Sequence, residues 1–143
     1  MRRIIFAGLF AAVSFLSLSI ADRAQAQIVV RISRATQMME VSVDGSYRYS
    51  WPVSTGRPGL ATPGGVFHPH SMFVRWYSNK YYHSPMPHSI FFDGGIAIHG
   101  SYEISGLGRP VSHGCVRLHP ANATILFGLV RQEGMRNTTV IVQ

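Results

Sequence analysis

The strongest constraint on the fold is a repeated alternation of apolar and polar residues in the first third of the chain. Residues 28–33 alternate in this way, and residues 39–43 and 47–53 repeat the pattern. Period-two alternation gives a β-strand one buried face. Asp44-Gly45 lies between the second and third segments and predicts a tight turn joining a hairpin. The residues expected on the buried faces are Ile28, Val30, Ile32, Met39, Val41, Val43, Tyr47, Tyr49, Trp51 and Val53.

Later segments add strands and loops. Residues 89–92 and 96–99 predict two strands around a turn, and residues 138–142 predict a closing strand. Residues 54–89 and 100–111 contain turn chemistry and predict irregular loops. The first of these loops is rich in aromatic and histidine side chains, so it is expected either to line a binding cleft or to pack its own aromatics on the surface.

One helix is predicted near the end of the chain. Pro120 suits the first helical position, and Gly134 suits the stop. The stripe expected to be buried consists of Ile125, Leu126, Leu129 and Val130.

The first 26 residues form a separate segment. A basic start precedes an uncharged stretch from Ile4 to Ile20, and Ala24-Gln25-Ala26 is a small-x-small cleavage site. This pattern is typical of a secretory signal peptide, so residues 1–26 should be removed and residues 27–143 should form the mature domain in the periplasm or cell envelope. An uncleaved membrane anchor is the alternative.

Length and charge narrow the function class. A chain of 143 residues suits one domain. Its formal net charge is +7, but the basic side chains are scattered and form no stripe, so nucleic acid is not an expected partner. A basic exported protein suits work near an anionic envelope polymer, although solubility alone also explains the charge.

Cys115 is the only cysteine in the chain, so it cannot form an internal disulfide. A lone thiol in an oxidising compartment is either buried and inert or a nucleophile. An imidazole that takes its proton gives a reactive thiolate–imidazolium pair, and His99 and His113 are the two candidates. We favour His99 as the base, because a histidine at a strand end is well placed to be held by an acceptor. The N–H groups of Gly114 and Cys115 would hold a developing oxyanion.

The segments that contain His99 and Cys115 resemble a motif of a known protein family. Ile98-His99-Gly100 followed by Ser112-His113-Gly114-Cys115-Val116-Arg117-Leu118 resembles the active-site signature of the L,D-transpeptidase (YkuD-like) family. Pro52-Val53-Ser54-Thr55-Gly56 with Thr62-Pro63-Gly64-Gly65-Val66-Phe67 is similar to that family's earlier motif. Met86-Pro87 and Phe91-Phe92 also match in order, so the resemblance covers nearly the whole mature chain.

The resemblance implies a compact, mainly β, sandwich-like catalytic domain with one or two helices. Such enzymes remodel peptidoglycan. The cysteine attacks the bond between the diamino acid and the terminal D-alanine of a tetrapeptide stem, and D-alanine leaves a thioester behind. An amine then takes the acyl group, either from another stem, giving a 3→3 cross-link, or from a lysine of an envelope protein. Carbapenems acylate the same cysteine.

By motif position, the resemblance also implies roles. Cys115 would be the nucleophile, and His99 the general base oriented by the carbonyl of Gly100. His113 and Gly114 would line the oxyanion and substrate site together with the Cys115 amide. Arg117 would be structural or would aid stem binding, and Ser112 is the small residue before the histidine.

The chain departs from the family pattern at two places. His119 stands where many relatives carry an asparagine followed by an acidic residue, and His88 stands where a tyrosine often follows Met-Pro. Both changes bear on substrate preference rather than on the thiol chemistry.

Three alternatives remain open. His68 and His70 could form half of a zinc site, but standard ligand spacing is missing, so no metal or other cofactor is expected. The protein could be a non-catalytic peptidoglycan-binding domain with an inert Cys115. Finally, water could be the acceptor, which would make the enzyme an L,D-carboxypeptidase.

Overall fold

The computed structural model describes residues 24–143. Most of the predicted signal peptide therefore lies outside the described residues. The described chain is mainly β, with two sheets and one α-helix, which confirms the predicted fold class. The strands are β1 (Ile28–Ser33), β2 (Met38–Val43), β3 (Ser46–Pro52), β4 (Gly65–Phe67), β5 (Ser71–Phe73), β6 (Ser89–Asp93), β7 (Ile96–Gly100), β8 (Val116–Leu118) and β9 (Thr138–Val142), and the helix is α1 (Pro120–Glu133).

The first sheet has five strands in the order β3-β2-β1-β9-β4. The predicted hairpin is confirmed: Val43 pairs with Ser46, and Asp44 and Gly45 form the two-residue turn with φ values of 50° and 76°. Positive φ at both positions is what a type I′ turn requires. The alternation of β1 and β2 buries one face as expected, but β3 is an edge strand, and Tyr47 at its start is 65% exposed.

The second sheet has four strands in the order β5-β6-β7-β8, and β7 and β8 run parallel. The predicted strands at residues 89–92 and 96–99 are confirmed as β6 and β7. The prediction that residues 54–89 are irregular is wrong in part, because β4 and β5 lie within them. These strands and β8 have three residues each, which is too short for an alternation to be read from sequence.

The helix begins and ends where the sequence predicts. Pro120 is its first residue, and Gly134 follows its last with a φ of 94°. The predicted buried stripe is only half right, because Ile125 is 40% exposed. The buried helical residues lie at i, i+3, i+4, i+7 and i+10, and they are Ala123, Leu126, Phe127, Val130 and Glu133. Within residues 24–143, no helix has the length and apolar character needed to cross a membrane.

One hydrophobic core joins the two sheets and the helix, with contributions from Ile28, Val30, Met39, Ile90, Ile98, Val116, Leu126 and Val140 among others. A second, smaller cluster lies on the other face of the β5–β8 sheet. It contains Met86, Phe91 and Ala97, with Trp76 and Cys115 packed against it. The cysteine therefore lies on the face of this sheet that is directed away from the main core.

Candidate active site

The parallel pairing of β7 and β8 brings the two halves of the sequence motif together. Ile98 pairs with Val116 in the main core, and His99 pairs with Arg117. Since successive side chains of a strand alternate between faces, His99 and Arg117 lie on the face opposite the core. Cys115, two residues before Arg117, packs beside Ala97 on that same face.

His99 is buried and held by the backbone. Its Nδ1 lies 2.7 Å from the carbonyl oxygen of Gly100. A carbonyl oxygen only accepts, so Nδ1 carries the proton and Nε2 has the free lone pair. The pKa of His99 is lowered to about 4, mainly by burial and to a smaller extent by the charge of Arg117, against the opposing effect of the Gly100 hydrogen bond. The ring is therefore a neutral imidazole with Nε2 able to accept a proton.

Cys115 is half-buried beside β7. The N–H of Ala97 donates to Sγ at 3.4 Å, and the thiol donates to the carbonyl oxygen of Gly95 at 3.8 Å. Burial raises the pKa of the Cys115 thiol, although the Ala97 N–H and the charge of Arg117 oppose this. The resting pair is thus a neutral thiol and a neutral imidazole rather than the expected thiolate–imidazolium pair.

The loop before the cysteine is held by Ser112. Its Oγ donates to the carbonyl oxygen of Cys115 at 2.6 Å and accepts from the N–H of Gly114 at 3.1 Å. In the structure the Gly114 N–H is engaged by Ser112, and its expected role as an oxyanion donor stays a prediction. Gly114 has a φ of 126°, a conformation that side-chain-bearing residues rarely adopt, so glycine is required for the backbone path.

The earlier motif supports this loop from behind. Thr62 Oγ1 donates to the carbonyl oxygen of Gly114 at 2.7 Å and accepts from the N–H of Gly56 at 2.9 Å. The N–H of Ser112 donates to the carbonyl oxygen of Thr55 at 3.0 Å. The sequence assigns no role to these residues, although the motif that contains them is visible in it. Their contribution is long-range and becomes apparent only in the fold.

Arg117 lies in the site with an acidic partner that the sequence does not reveal. Its guanidinium contacts the Glu103 carboxylate at 2.7 Å, with the arginine side chain 15% exposed and the glutamate 73% exposed. An ion pair this open to water contributes little to stability. Arg117 therefore combines a nearly enclosed position with an exposed and exchangeable counter-ion.

His113, the second candidate base, is held differently. Its ring stacks on Tyr81, with centroids 4.2 Å apart and planes at 19°. Desolvation lowers the pKa of His113, and the charges of Arg57 and Arg117 lower it further against the effect of Glu103. Unlike His99, its ring is placed by a side chain from the aromatic loop rather than by a backbone acceptor.

These side chains line a cavity of about 510 Å³. The residues that line it include His99, Cys115 and Arg117. The lining also includes residues of the aromatic loop, and Tyr102 and Glu103 from the segment that comes after β7 in the chain. The aromatic loop fulfils both expectations: Tyr81 and Tyr82 line the cavity, whereas Tyr77 and His83 stack on each other.

The remaining motif histidines lie outside this cavity. His119 caps α1, its Nδ1 accepting from the N–H of Ala121 at 3.2 Å, and His88 packs edge-on against Phe127 of the helix. His68 contacts the carbonyl oxygen of Thr138 through Nδ1 at 2.8 Å. Within residues 24–143, no three histidine, cysteine or acidic side chains are grouped so that they could hold a metal ion.

Comparison with known proteins gives consistent matches. The family model of the L,D-transpeptidase catalytic domain (YkuD) matches residues 26–142. An L,D-transpeptidase from Mycobacterium smegmatis is 25% identical with a TM-score of 0.73, and the match covers 82% of this chain and 59% of that one. An L,D-transpeptidase from Stackebrandtia nassauensis is 26% identical with a TM-score of 0.71, covering 88% and 61%. No curated protein sequence matches the chain.

A third solved structure, LD transpeptidase LdtMt1 in complex with imipenem, shares the fold at 23% identity with a TM-score of 0.74, covering 82% of this chain and 59% of that one. The chain spans about three fifths of the length of these structures. The family model, by contrast, extends over nearly all of the described residues and includes both the loop before Cys115 and the motif that supports it. The chain therefore belongs to the L,D-transpeptidase (YkuD) catalytic-domain family.

Proposed function

We propose that this domain is an exported, cysteine-dependent L,D-transpeptidase acting on peptidoglycan stem peptides. The observation that carries the proposal is the shared position of Cys115 and His99 on one face of the β7–β8 pair, in the lining of one cavity. The hydrogen bond from His99 to Gly100 selects the tautomer that a general base needs.

The first step is acyl-enzyme formation. The Cys115 thiol gives its proton to Nε2 of His99 as Sγ attacks the carbonyl carbon between the diamino acid and D-alanine. The carbon–nitrogen bond then breaks, the departing D-alanine amine takes the proton from His99, and a thioester remains on Cys115. The low pKa of His99 keeps the ring neutral at pH 7, and the thiolate formed beside it stabilises the transient imidazolium.

The second step transfers the acyl group. An amine gives a proton to His99, attacks the thioester carbonyl and releases the Cys115 thiolate. The thiolate then takes the proton from His99. The acceptor amine belongs to another stem, giving a 3→3 cross-link, or to an envelope-protein lysine. Water in the same position would make the enzyme a carboxypeptidase, so the acceptor decides between transfer and hydrolysis.

The negative charge of the proposed substrate is complementary to a basic side chain in the cavity lining. Stem peptides carry carboxylates, and Arg117 lines the cavity with an exposed partner, Glu103, that a substrate carboxylate can replace. Tyr81 and Tyr82 offer flat surfaces on the wall of the same cavity. Export follows from the leader-like pattern of residues 1–26, which would deliver the domain to the compartment that contains peptidoglycan.

The test is product analysis with a purified disaccharide-tetrapeptide, with and without a second stem as amine donor. Release of D-alanine together with a cross-linked dimer supports transpeptidation. Release of D-alanine with a tripeptide product in both reactions indicates the carboxypeptidase. Absence of D-alanine release by folded protein, with no acylation by imipenem, would favour the non-catalytic binding domain.

A further inference from the structure

Thr62 contacts the loop that precedes Cys115 from its buried side. The side chain is completely buried and does not line the cavity. Its hydroxyl makes two short bonds, donating to the carbonyl oxygen of Gly114 at 2.7 Å and accepting from the N–H of Gly56 at 2.9 Å. The hydroxyl therefore has a fixed direction, with its single proton committed to Gly114.

The carbonyl that Thr62 holds belongs to the same peptide unit as the N–H of Cys115. A trans peptide is planar, and its C=O and N–H point in opposite directions. Because Thr62 occupies the buried side, the Cys115 N–H points away from it. This N–H makes no hydrogen bond with any other part of residues 24–143.

Ser112 does not engage the N–H of Cys115. Its Oγ engages the N–H of Gly114 and the carbonyl oxygen of Cys115, which belong to the two neighbouring peptide units. Ser112 and Thr62 together hold three successive peptide units. Neither side chain engages the N–H of Cys115.

We propose that Thr62 is a positioning residue for the oxyanion donor, and this inference rests on the proposed function. By holding the Gly114 carbonyl, Thr62 aims the Cys115 N–H at the substrate oxygen that becomes negative when Sγ attacks. A hydrogen bond to the carbonyl also polarises the amide and strengthens its N–H as a donor. Preorganised donors of this kind stabilise the transition state because they need no reorientation during the reaction.

The test compares two reactions of the same thiol. Acylation by imipenem opens a β-lactam carbonyl and passes through an oxyanion, whereas alkylation by iodoacetamide displaces iodide at a saturated carbon and forms none. Thr62→Val should slow acylation of Cys115 by at least about tenfold, towards the roughly 10²–10³-fold cost of removing a whole oxyanion donor. Its alkylation rate should stay at the wild-type value. Thr62→Ser, which keeps the hydroxyl, should recover most of the acylation rate.

Ser54→Ala is the matched control. The Ser54 hydroxyl is also fully buried and also bonds two backbone groups, the carbonyl oxygen of Arg109 at 2.6 Å and the N–H of Val111 at 3.3 Å. It does not contact the Gly114–Cys115 peptide unit. Its loss should therefore lower stability to a similar extent as Thr62→Val while leaving the acylation rate close to wild type.

Several results would overturn the inference. If Thr62→Val is acylated at the wild-type rate, the proposed role of Thr62 is contradicted. A fall in the acylation rate that is matched by a fall in the alkylation rate would contradict it as well. A fall in acylation of equal size in Ser54→Ala would point to a general loss of rigidity. If Thr62→Val does not fold, Thr62→Ala is measured in its place with the same expectation. Failure of imipenem and the stem peptide to acylate the wild type would instead contradict the proposed function, and the role of Thr62 with it.

Discussion

Nδ1 of His99 lies 2.7 Å from the carbonyl oxygen of Gly100, the next residue along the chain. The contact depends on a backbone that has no room for a side chain. A Cβ on Gly100 would meet Pro87 Cγ at 3.1 Å and the Cα of Pro120 at 3.2 Å. The packing of α1 against β7 therefore fixes the carbonyl that orients the histidine ring.

Gly100→Ala should destabilise the domain by about 1–3 kcal/mol, the usual cost of overpacking a closed site. Turnover should fall as well, because relief of the clash moves the carbonyl that holds His99. Urea unfolding measures the first effect and D-alanine release the second. Gly128→Ala is the control: its Cβ would have nothing within 4 Å, and the helix should gain about 0.5–1 kcal/mol. A fully stable and active Gly100→Ala would contradict the packing argument.

His99→Ala should lower the rate of Cys115 acylation by about 10²–10⁴, the usual contribution of a general base. His113→Ala should cost less, since the ring of His113 stacks on Tyr81 and has no backbone acceptor to fix its tautomer. Single-turnover kinetics with a disaccharide-tetrapeptide measure both. The opposite order, an inactive His113→Ala beside a near-normal His99→Ala, would transfer the role of base to His113.

Stability should depend on pH through His99. Its pKa is about 4 in the folded protein and 6.5 without the fold, so between these values the unfolded chain binds more protons. The neutral His99 ring therefore makes its full contribution to the free energy of unfolding above pH 6.5. This contribution is lost as the pH falls towards 4, at a limiting slope of about 1.4 kcal/mol per pH unit. Urea denaturation across this range should show the slope in the wild type and a clearly smaller one in His99→Gln. Equal slopes would show that His99 is not buried as a neutral ring.

Alkylation of Cys115 should rise with pH and reach half of its maximum above the value of about 8.5 that is normal for a free thiol. The reason is that burial raises the pKa of Cys115 and its neighbour His99 is neutral. Iodoacetamide kinetics from pH 5 to 10, followed by intact mass, give the profile. A rate plateau at pH 5–6 would instead reveal a preformed thiolate–imidazolium pair.

Much of the fold follows from local patterns. The hairpin at Asp44-Gly45 and the limits of α1 depend on turn and cap chemistry that is written in a few adjacent residues. The stripe on α1 was less predictable, because Ile125 is as apolar as Leu126 and only the direction of packing decides which is buried. Short β8 could not be seen by alternation, although it is the strand that brings Cys115 beside β7.

The candidate active site shows the same difference between what local patterns predict and what depends on packing. A histidine, a glycine-rich loop and a cysteine suggest thiol chemistry, and the family signature names the residues. The contacts of Thr62 with Gly114 and of Glu103 with Arg117 join segments distant in sequence, so no spacing rule reveals them. The neutral resting state of Cys115 and His99 likewise depends on burial, which only the packed structure defines.

The most direct test of the central claim is to locate the acyl group after reaction with a disaccharide-tetrapeptide. The protein is quenched within one turnover, digested and mapped by mass spectrometry. We predict an adduct equal to the substrate without D-alanine on the peptide that contains Cys115, and none in Cys115→Ala, whose circular dichroism should match the wild type. An adduct on another residue, or D-alanine release by Cys115→Ala at the wild-type rate, would contradict the account.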